Sequence, residues 1–319
     1  MREIGGYLSL DRYQNEHIHD KAIALNSGRN CLAYLIQKKE IKKIYLPKFL
    51  CASVGDICRK YGVEIVYYSI GSDLLPVENE FSDGWLYLVN YYGQISNKKI
   101  LELKKAYSNL IVDNIQAYFQ KPCTGIDTIY TCRKFFGVTD GAFLYSDIEL
   151  DETLEVDCSW SRMEHIVGSF ECGASAFYSN YQSSEEDFEN MPVRTMSRLT
   201  DNLLRGIDYN VVEEKRTENF RYLHSKLSDL NKLNLTVPDG PYMYPLYING
   251  GAEIRKELQK IKIFIPTLWP DVFDLCTEDE LEYEMAQNIL PIPIDQRYGT
   301  EDMEYIITQV LAVIDRLHV

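Results

Sequence analysis

Residues 86–113 read LYLVNYYGQISNKKILELKKAYSNLIVD, and this stretch decides the fold. It contains an apolar run at Leu86–Asn90, a segment with helical spacing at Lys99–Ser108, and a second apolar run at Leu110–Asp113. A strand, a helix and a second strand in this order predict a βαβ unit with parallel strands. Such sheets bind ligands beyond the carboxyl ends of their strands. The polar residues that end the two runs are therefore candidate site residues.

The same alternation of apolar runs and helical patterns continues on both sides of this unit. The further predictions are strands at Lys43–Leu46, Val63–Ser69, Asp127–Cys132 and Ala142–Ser146, and a helix at Val54–Lys60. Repeated strand–helix alternation indicates an α/β fold in which a mostly parallel sheet is sandwiched between helices. We assign this sheet to a large domain over residues 1–200.

The pattern changes after about residue 150. Residues 151–195 are polar and irregular, and SSEEDFEN at 183–190 is typical of a solvated loop. The predictions beyond it are a mainly helical stretch at 196–231, strands at Asn234–Val237, Tyr244–Ile248 and Lys262–Ile265, and helices at Ala252–Lys260 and Asp302–Leu317. This mixture predicts a smaller α+β domain over residues 201–319.

Composition and charge narrow the class of function. The 319 residues are 45% hydrophobic and 25% charged, which is typical of a globular protein. Asp and Glu outnumber Lys and Arg by 48 to 33, and the net charge of −15 argues against nucleic acid or an anionic membrane as the main partner. The sequence has no run of about 18 apolar residues and no hydrophobic signal core, so we expect a cytoplasmic protein without membrane contact.

Cysteine and histidine give no sign of metal binding. The eight cysteines form no CxxC pair, and most lie in apolar stretches, which predicts reduced, buried thiols. His17 and His19 form the only close histidine pair, and no cysteine or carboxylate grouping of metal type accompanies them. We therefore expect no metal site.

Three short motifs could carry chemistry, and the first is SGRN at Ser27–Asn30. It precedes the helical pattern CLAYLI. Serine is a favoured N-cap, glycine permits close approach of a ligand, and the free amides at a helix N-terminus bind phosphate. The alternative is an ordinary capped helix without a ligand.

The second and third motifs are a carboxylate and a lysine near strand ends. Asp113 ends an apolar strand, where a buried carboxylate needs a partner: it could lie beneath a heteroaromatic cation, or it could cap a helix. Lys134 follows a strand and lies among aromatic residues, where desolvation would lower its pKa and make it an imine-forming nucleophile. Alternatively, its stem covers Phe135 and Phe136.

In chain order these motifs supply a phosphate cup, an anion and a lysine. Pyridoxal phosphate carries a phosphate, a pyridine nitrogen that must stay protonated, and an aldehyde that reacts with an amine. Each motif has an ordinary structural explanation when taken alone. Together and in this order, they predict a pyridoxal-phosphate site.

The chain resembles the DegT/StrS-type sugar aminotransferases, which are fold type I pyridoxal-phosphate enzymes. Six segments follow the family's order: ALNSGRNCLAYLI at 24–36, IYLPKFLCASV at 44–54, VDNIQAYF at 112–119, IYTCRKFFGVTDGAFLYSD at 129–147, RTMSRLTDNLL at 194–204 and ILPIPIDQRYGTEDM at 289–303. The resemblance implies the fold type I architecture, with a large cofactor-binding domain and a smaller C-terminal one.

The resemblance also implies residue roles. Lys134 matches the lysine that binds the cofactor's aldehyde, Asp113 the partner of its pyridine nitrogen, and Gln116 the residue beside its 3-oxygen and ring. The implied phosphate-binding residues are Ser27, Gly28, Arg29 and Thr131. The resemblance also suggests Asn90 and Tyr92 near the substrate. Separately, the candidates for contact with an anionic nucleotide are Arg29, Arg133, Arg162, Arg194 and Arg297.

The chain departs from the family's pattern at several points. Cys51 stands where an aromatic residue stacks on the pyridine ring, and Phe49 is the nearest substitute. Val193 replaces an asparagine that reaches the phosphate of the partner subunit. Gly141 and Ala142 replace the Gly-Gly pair that follows the acidic residue of the lysine loop. These departures bear on the substrate more than on the cofactor.

The activity that the resemblance implies is transamination. An amino donor, glutamate by analogy, would supply the amino group for a keto sugar, nucleotide-linked and used in surface polysaccharide. The alternatives are other fold type I chemistry, such as elimination or dehydration on a sugar, and a non-catalytic binding role on the same fold.

A homodimer with shared active sites is also implied by the resemblance. The sequence gives independent support, because the polar stretch 151–195 contains Trp160, Phe170, Phe177, Tyr178 and Tyr181. Aromatic residues at this density need burial, either in a subunit interface or on their own chain.

Overall fold

The computed structural model describes residues 4–77, 81–189 and 191–317. Its centre is a sheet whose strands are β1 (Ile23–Leu25), β2 (Lys43–Pro47), β3 (Glu64–Tyr68), β4 (Trp85–Val89), β5 (Leu110–Asp113), β6 (Asp127–Thr131) and β7 (Ala142–Tyr145). Their order across the sheet is β1-β7-β6-β5-β4-β2-β3. Strands β4 and β5 are largely apolar runs, and these two and β6 are almost wholly buried.

Parallel pairing dominates this sheet. Strands β2 and β3, β2 and β4, β4 and β5, and β5 and β6 pair in parallel, whereas β7 is antiparallel to both β6 and β1. Strand β1 therefore runs in the same direction as β6, and both end at the same edge. The predicted mostly parallel sheet between helices is confirmed.

Helices connect the strands and build the rest of the chain. They are α1 (Gly28–Lys38), α2 (Ala52–Lys60), α3 (Asn97–Ala106), α4 (Glu164–Cys172), α5 (Tyr178–Glu189), α6 (Arg198–Leu204), α7 (Tyr209–Leu227), α8 (Gly251–Lys260), α9 (Val272–Leu275), α10 (Leu281–Asn288) and α11 (Thr300–Leu317). Short 3-10 turns lie at Tyr91–Gly93, Trp160–Arg162, Ala174–Phe177 and Ser228–Leu230. Across the described ranges, no helix is both long and apolar enough to cross a bilayer.

The C-terminal part has its own small sheet. Strands β8 (Met243–Tyr247) and β9 (Ile289–Pro293) pair antiparallel, and α7 and α8 pack against them and against α11. Helix α6 spans the predicted boundary at residue 200, but it is tied to the large sheet because Asp140 accepts hydrogen bonds from Ser197 N at 2.7 Å and Ser197 Oγ at 2.8 Å. Helix α7 contacts both parts, because its Tyr209 and Val212 belong to one core cluster with Phe136 and Phe143 while the helix also contacts β8 and α11. The boundary at residue 200 stays a prediction.

The predicted solvated loop at 183–190 is wrong over the residues that the structure describes. Residues up to Glu189 belong to α5, and Asn190 lies outside the described residues. Gln182 and Ser183 are exposed, as their polarity predicts. Polarity indicates exposure, however, and a helix without Gly or Pro can be exposed on most of its surface.

Two predicted C-terminal strands are absent from the described structure. At Asn234–Val237, the amide and carbonyl of Thr236 bond the side chain of Gln94, at 2.8 and 3.1 Å, instead of a neighbouring strand. At Lys262–Ile265, Lys262 has a left-handed φ of 64°, and Ile263 N donates back to Leu258 O of α8. Side chains and a helix end therefore take the hydrogen bonds that strand pairing would need.

The cysteines follow the predicted pattern only in part. All eight are free thiols, and the buried ones are Cys31, Cys58, Cys132 and Cys276. Cys51 and Cys123 are partly buried, but Cys158 and Cys172 are exposed. Cys158 and Cys172 lie on the segment around α4, and none of the residues of this helix is buried.

Candidate active site

One pocket opens where the parallel strands of the large sheet end. It has a volume of ≈ 380 Å³. All residues that the sequence predicts for cofactor binding line it: Ser27, Gly28, Arg29, Asp113, Gln116, Thr131 and Lys134. Topology explains this, because β1, β5 and β6 all end at this edge and each is followed by one of the three motifs. The three motifs, distant in sequence, therefore form one site.

The first wall is the N-terminus of α1. Ser27 is the N-cap, its Oγ accepts from Asn30 N at 3.2 Å, and its carbonyl accepts from Cys31 N at 3.0 Å. Within the described chain, the amides of Gly28 and Arg29 have no acceptor. A Cβ on Gly28 would lie 3.0 Å from Ile115 Cδ1, so a larger residue here would require the Ile115 side chain to shift. Free amides at a helix N-terminus suit an anion.

The second wall is the carboxylate of Asp113. It is 4% exposed, and it accepts hydrogen bonds from Tyr87 OH at 2.8 Å and from Ile115 N at 2.9 Å. Burial raises the pKa of Asp113, while the charge of Lys134 and the two hydrogen bonds oppose that rise. The carboxylate is therefore held rigidly and is favoured in its ionised form when a cation lies opposite it.

The third wall is the loop that carries Lys134. The amides of Phe135 and Phe136 both donate to Cys132 O, at 3.0 and 2.9 Å, so the chain turns tightly just after β6. Burial lowers the pKa of Lys134, and the negative charge of Asp113 opposes this shift. Lys134 Nζ has no hydrogen-bond or ion-pair partner in the described part of the chain. Its amine is thus available to a ligand.

Gln116 provides a further donor at the site. Its Oε1 accepts from Tyr92 N at 2.8 Å, whereas its buried Nε2 has no partner among the described residues. A buried amide without an acceptor costs free energy unless a ligand or water supplies one. This side chain therefore matches a ligand that carries an acceptor in the pocket.

The remaining walls come from parts of the chain that the sequence analysis did not connect with the cofactor. Arg133 forms an ion pair with Glu185 of α5, and both line the pocket beside Tyr181. Tyr242 and Trp269 reach it from the C-terminal part, and Lys134 Nζ lies 5.6 Å from the centroid of the Tyr242 ring. No local pattern marks these residues, because only the packing of distant elements brings them to the pocket.

Three of the residues predicted to contact substrate, Asn90, Tyr92 and Arg297, do not line this pocket. Asn90 is fully buried, and its Nδ2 donates to Asn114 Oδ1 at 2.9 Å and to Gln120 Oε1 at 2.7 Å. Tyr92 is fully buried with a left-handed φ of 55°. Arg297 is exposed and bonds Asp295 at 2.7 Å. Asn90 ends a strand as predicted, but its side chain bonds neighbouring amides. Tyr92, which the resemblance suggested, has a buried hydroxyl without a partner among the described residues.

Phe49 does not take the place of the missing stacking residue. It is 1% exposed and packs edge-on against Trp269, with ring centroids 4.7 Å apart, outside the pocket wall. The wall here consists of Leu50, Cys51 and Val54. The register is therefore the simple one, in which Cys51 faces the pocket and Phe49 faces the core.

Comparison with known proteins gives structural matches only. No protein-family model and no curated protein matches the chain. Sugar aminotransferase CalS13 from Micromonospora echinospora is 11% identical over 92% of this chain and 87% of its own, with a TM-score of 0.63. A DegT DnrJ EryC1 StrS aminotransferase from Brucella abortus is 14% identical over 91% and 85%, with a TM-score of 0.60.

A third similar structure catalyses a different reaction. The E. coli GDP-4-keto-6-deoxy-D-mannose-3-dehydratase with bound hydrated PLP is 15% identical over 91% of this chain and 87% of its own, with a TM-score of 0.61. These likenesses confirm the fold type I architecture that the sequence predicts, and the resemblance to DegT/StrS-type enzymes holds at the level of the fold. Activity must be argued from the site.

Proposed function

We propose that this protein is a pyridoxal-phosphate-dependent aminotransferase. The observation that carries the proposal is the joint placement of Lys134, Asp113 and the N-terminus of α1 around one pocket. These groups correspond to the aldehyde, the pyridine nitrogen and the phosphate of the cofactor. The unpartnered Nε2 of Gln116 adds a fourth correspondence, because the 3-oxygen on the cofactor's ring is an acceptor.

Each wall of the pocket would hold one part of the cofactor. The amides of Gly28 and Arg29, with Thr131, would bind its phosphate, and Gln116 Nε2 would donate to its 3-oxygen. Asp113, fixed by its two hydrogen bonds, would keep the ring nitrogen protonated. When bound, pyridoxal phosphate supplies a ring that absorbs the electrons released at the carbon next to an amino group.

Lys134 would perform the proton transfers. Its lowered pKa raises the fraction of neutral amine near neutral pH, and only the neutral amine is a nucleophile or a base. Lys134 Nζ would take the proton from the α-carbon of the donor and later deliver a proton to the carbon that is aminated. The absence of a polar partner for Nζ among the described residues leaves the amine free for both tasks.

A keto sugar, nucleotide-linked and used in surface polysaccharide, is the proposed amino acceptor, and glutamate is the proposed donor. The support for a sugar is that structural neighbours include sugar aminotransferases such as CalS13. The pocket itself offers the half-buried guanidinium group of Arg29, which suits the negative charge of a nucleotide diphosphate or a donor carboxylate. The guanidinium group of Arg133 is paired with Glu185 and would have to give up this partner to bind such a ligand.

Dehydration of a sugar is the second candidate function, since a sugar dehydratase shares the fold. A histidine at position 134 would favour dehydration, and this chain has lysine. Lysine supplies the amine that transamination needs to move a proton between two carbons. Lys134 thus favours transamination.

A homodimer with shared sites is part of the proposal. Trp160, Phe170 and Tyr178 are 72, 91 and 61% exposed on the single chain, so they do not pack on their own subunit. Phe177 differs, because it packs against Gly168. Large exposed aromatic side chains on one segment of a chain are typical of an interface. Tyr181 lies on the same segment and lines the pocket. An interface formed by this segment would therefore lie next to an active site, either that of the same subunit or that of the partner.

The experiment that tests the proposed activity is a half-reaction followed by absorbance. Protein loaded with pyridoxal phosphate should show a band near the visible edge, which glutamate converts to the band of the aminated cofactor. Candidate keto sugars should then restore the first band. Loss of water from the sugar without any need for glutamate would support dehydration instead. A protein that shows no cofactor band and binds no pyridoxal phosphate would contradict both activities.

A further inference from the structure

Arg216 is a buried cation on α7 that bonds only uncharged groups. It is 1% exposed, and its Nε donates to Gln296 Oε1 at 2.8 Å. Nη1 donates to the carbonyls of Pro241 at 3.1 Å and Tyr242 at 3.2 Å, and Nη2 donates to the carbonyl of Phe135 at 3.2 Å. No carboxylate of the described chain lies within ion-pair distance of this guanidinium.

Burying a charged guanidinium group without a carboxylate partner costs free energy. Burial lowers the pKa of Arg216 to about 10, which shows that its surroundings oppose the charge. An apolar side chain would fill the same space without this penalty. The five donors of arginine in a fixed plane, however, can hold several carbonyl groups at once. The contacts of Arg216 therefore fix the positions of these three carbonyl groups.

The groups that Arg216 holds lie on both sides of the reactive lysine. Phe135 directly follows Lys134, and its carbonyl also accepts from Gln296 Nε2 at 2.8 Å. The guanidinium lies 4.7 Å from the centroid of the Phe135 ring. Tyr242, whose carbonyl is the second anchor, packs its ring 5.6 Å from Lys134 Nζ. One side chain thus fixes the lysine loop and the aromatic wall that faces the lysine.

We propose that Arg216 is a positioning residue for Lys134. Together with Gln296 it connects the C-terminal part of the chain to the lysine loop and sets where the amine points in the pocket. Arg216 lines no part of the pocket and would touch neither cofactor nor substrate. This inference rests on the proposed function for the role of Lys134, but the contacts themselves do not depend on a cofactor.

The test compares Arg216→Met, Gln296→Met and the control Arg221→Met. Arg221 lies on the same helix, is exposed and makes no hydrogen bond in the described structure. The first readout uses cofactor-free protein: hydrogen–deuterium exchange of amides 132–138. We expect exchange to be faster by about tenfold in Arg216→Met and by less in Gln296→Met, because the anchored carbonyl is released. Arg221→Met should match the wild type.

The second readout uses protein loaded with pyridoxal phosphate. The pH midpoint of its absorbance band should shift in Arg216→Met, and the glutamate half-reaction should slow by about 10- to 100-fold, because misplacement of a reacting group costs rates of this order. Arg216→Lys should restore part of the rate, since lysine can bond one of the carbonyls. Thermal unfolding, measured in parallel, separates this effect from a general loss of stability.

Two outcomes would overturn the inference. If Arg216→Met folds and both its exchange and its spectral midpoint match those of Arg221→Met, Arg216 is a structural residue only. If Arg216→Met does not fold, Gln296→Met decides, and an unchanged exchange and midpoint there have the same meaning. A third outcome separates this inference from the proposed function. If the wild type binds no pyridoxal phosphate but amides 132–138 still exchange faster in Arg216→Met, the proposed function is contradicted and the anchoring of the loop by Arg216 is established.

Discussion

Tyr87 donates a 2.8 Å hydrogen bond to Asp113 Oδ2, and the two side chains lie on the same face of neighbouring parallel strands. Both are buried, so the bond forms where water cannot replace it. Burial raises the pKa of Asp113, and the tyrosine hydroxyl opposes that rise. The sheet itself, through the β4–β5 register, therefore supplies the partner that holds this carboxylate in place.

Tyr87→Phe removes this donor and leaves a buried carboxylate oxygen without a partner. We expect the free energy of unfolding to fall by about 1–3 kcal/mol, which is typical of an unsatisfied buried acceptor. The pKa of Asp113 should rise further, so the acidic limb of the activity profile should move to higher pH. Urea unfolding and a pH–rate profile measure the two effects. An unchanged acidic limb would contradict the role given to this hydrogen bond.

Asp113→Asn should leave cofactor binding largely intact and slow proton transfer severely. Asparagine has nearly the same shape, but it carries no charge to keep a ring nitrogen protonated. We expect the glutamate half-reaction to slow by about 10³-fold or more, which corresponds to about 4 kcal/mol in the activation barrier. Stopped-flow absorbance measures this rate. A rate equal to that of the wild type would mean that Asp113 has only a structural role.

His19 should make the stability of the protein depend on pH. It is 3% exposed, its Nε2 lies 2.9 Å from Tyr118 O and its Nδ1 3.2 Å from Tyr145 OH, and burial lowers its pKa from 6.5 to about 4. Between these values the unfolded chain binds a proton that the folded chain does not. This group's contribution to stability is therefore present above pH 6.5 and is lost as the pH falls towards 4.

The expected loss from this residue is about 3 kcal/mol between neutral pH and pH 4, since each unit of pKa difference is worth about 1.4 kcal/mol. Urea unfolding of the wild type and of His19→Gln at several pH values isolates the contribution. The variant should be less stable at neutral pH and should lose less stability on acidification. Parallel stability curves for the two proteins would show that His19 does not titrate in this way.

The exposed aromatic residues around α4 should form the subunit interface. Trp160→Ser combined with Phe170→Ser should shift the protein from dimer to monomer in sedimentation velocity at micromolar concentration. The matched control is Phe264→Ser, because Phe264 is also exposed, at 58%, but lies in the C-terminal part of the chain. A wild-type monomer that still carries the cofactor would contradict the shared-site proposal.

The large sheet and its site could be predicted from the sequence because the signals are local. Apolar runs such as Leu110–Asp113 predict buried strands. In a parallel sheet, these strands end at the edge where ligands bind. Gln116 and Thr131 could be assigned only from the resemblance to the DegT/StrS-type enzymes, and both line the pocket.

The C-terminal contributions could not be predicted in this way. Tyr242 and Trp269 reach the pocket only because the small sheet packs beside the large one, and no periodicity in their segments encodes that contact. Asn90 shows the opposite error: its position at a strand end is correct, but neighbouring amides of Asn114 and Gln120 capture its side chain. The position at a strand end predicts the edge of the sheet at which a residue lies, but it does not predict the direction of its side chain.

The most direct test of the central claim is to identify the lysine that binds the cofactor. Protein incubated with pyridoxal phosphate is reduced with borohydride, digested, and analysed by mass spectrometry, with Lys134→Ala treated in parallel. We expect the added pyridoxyl phosphate mass on the peptide that contains Lys134, and no stoichiometric adduct in the variant. An adduct on another lysine, or none in the wild type, would contradict the account.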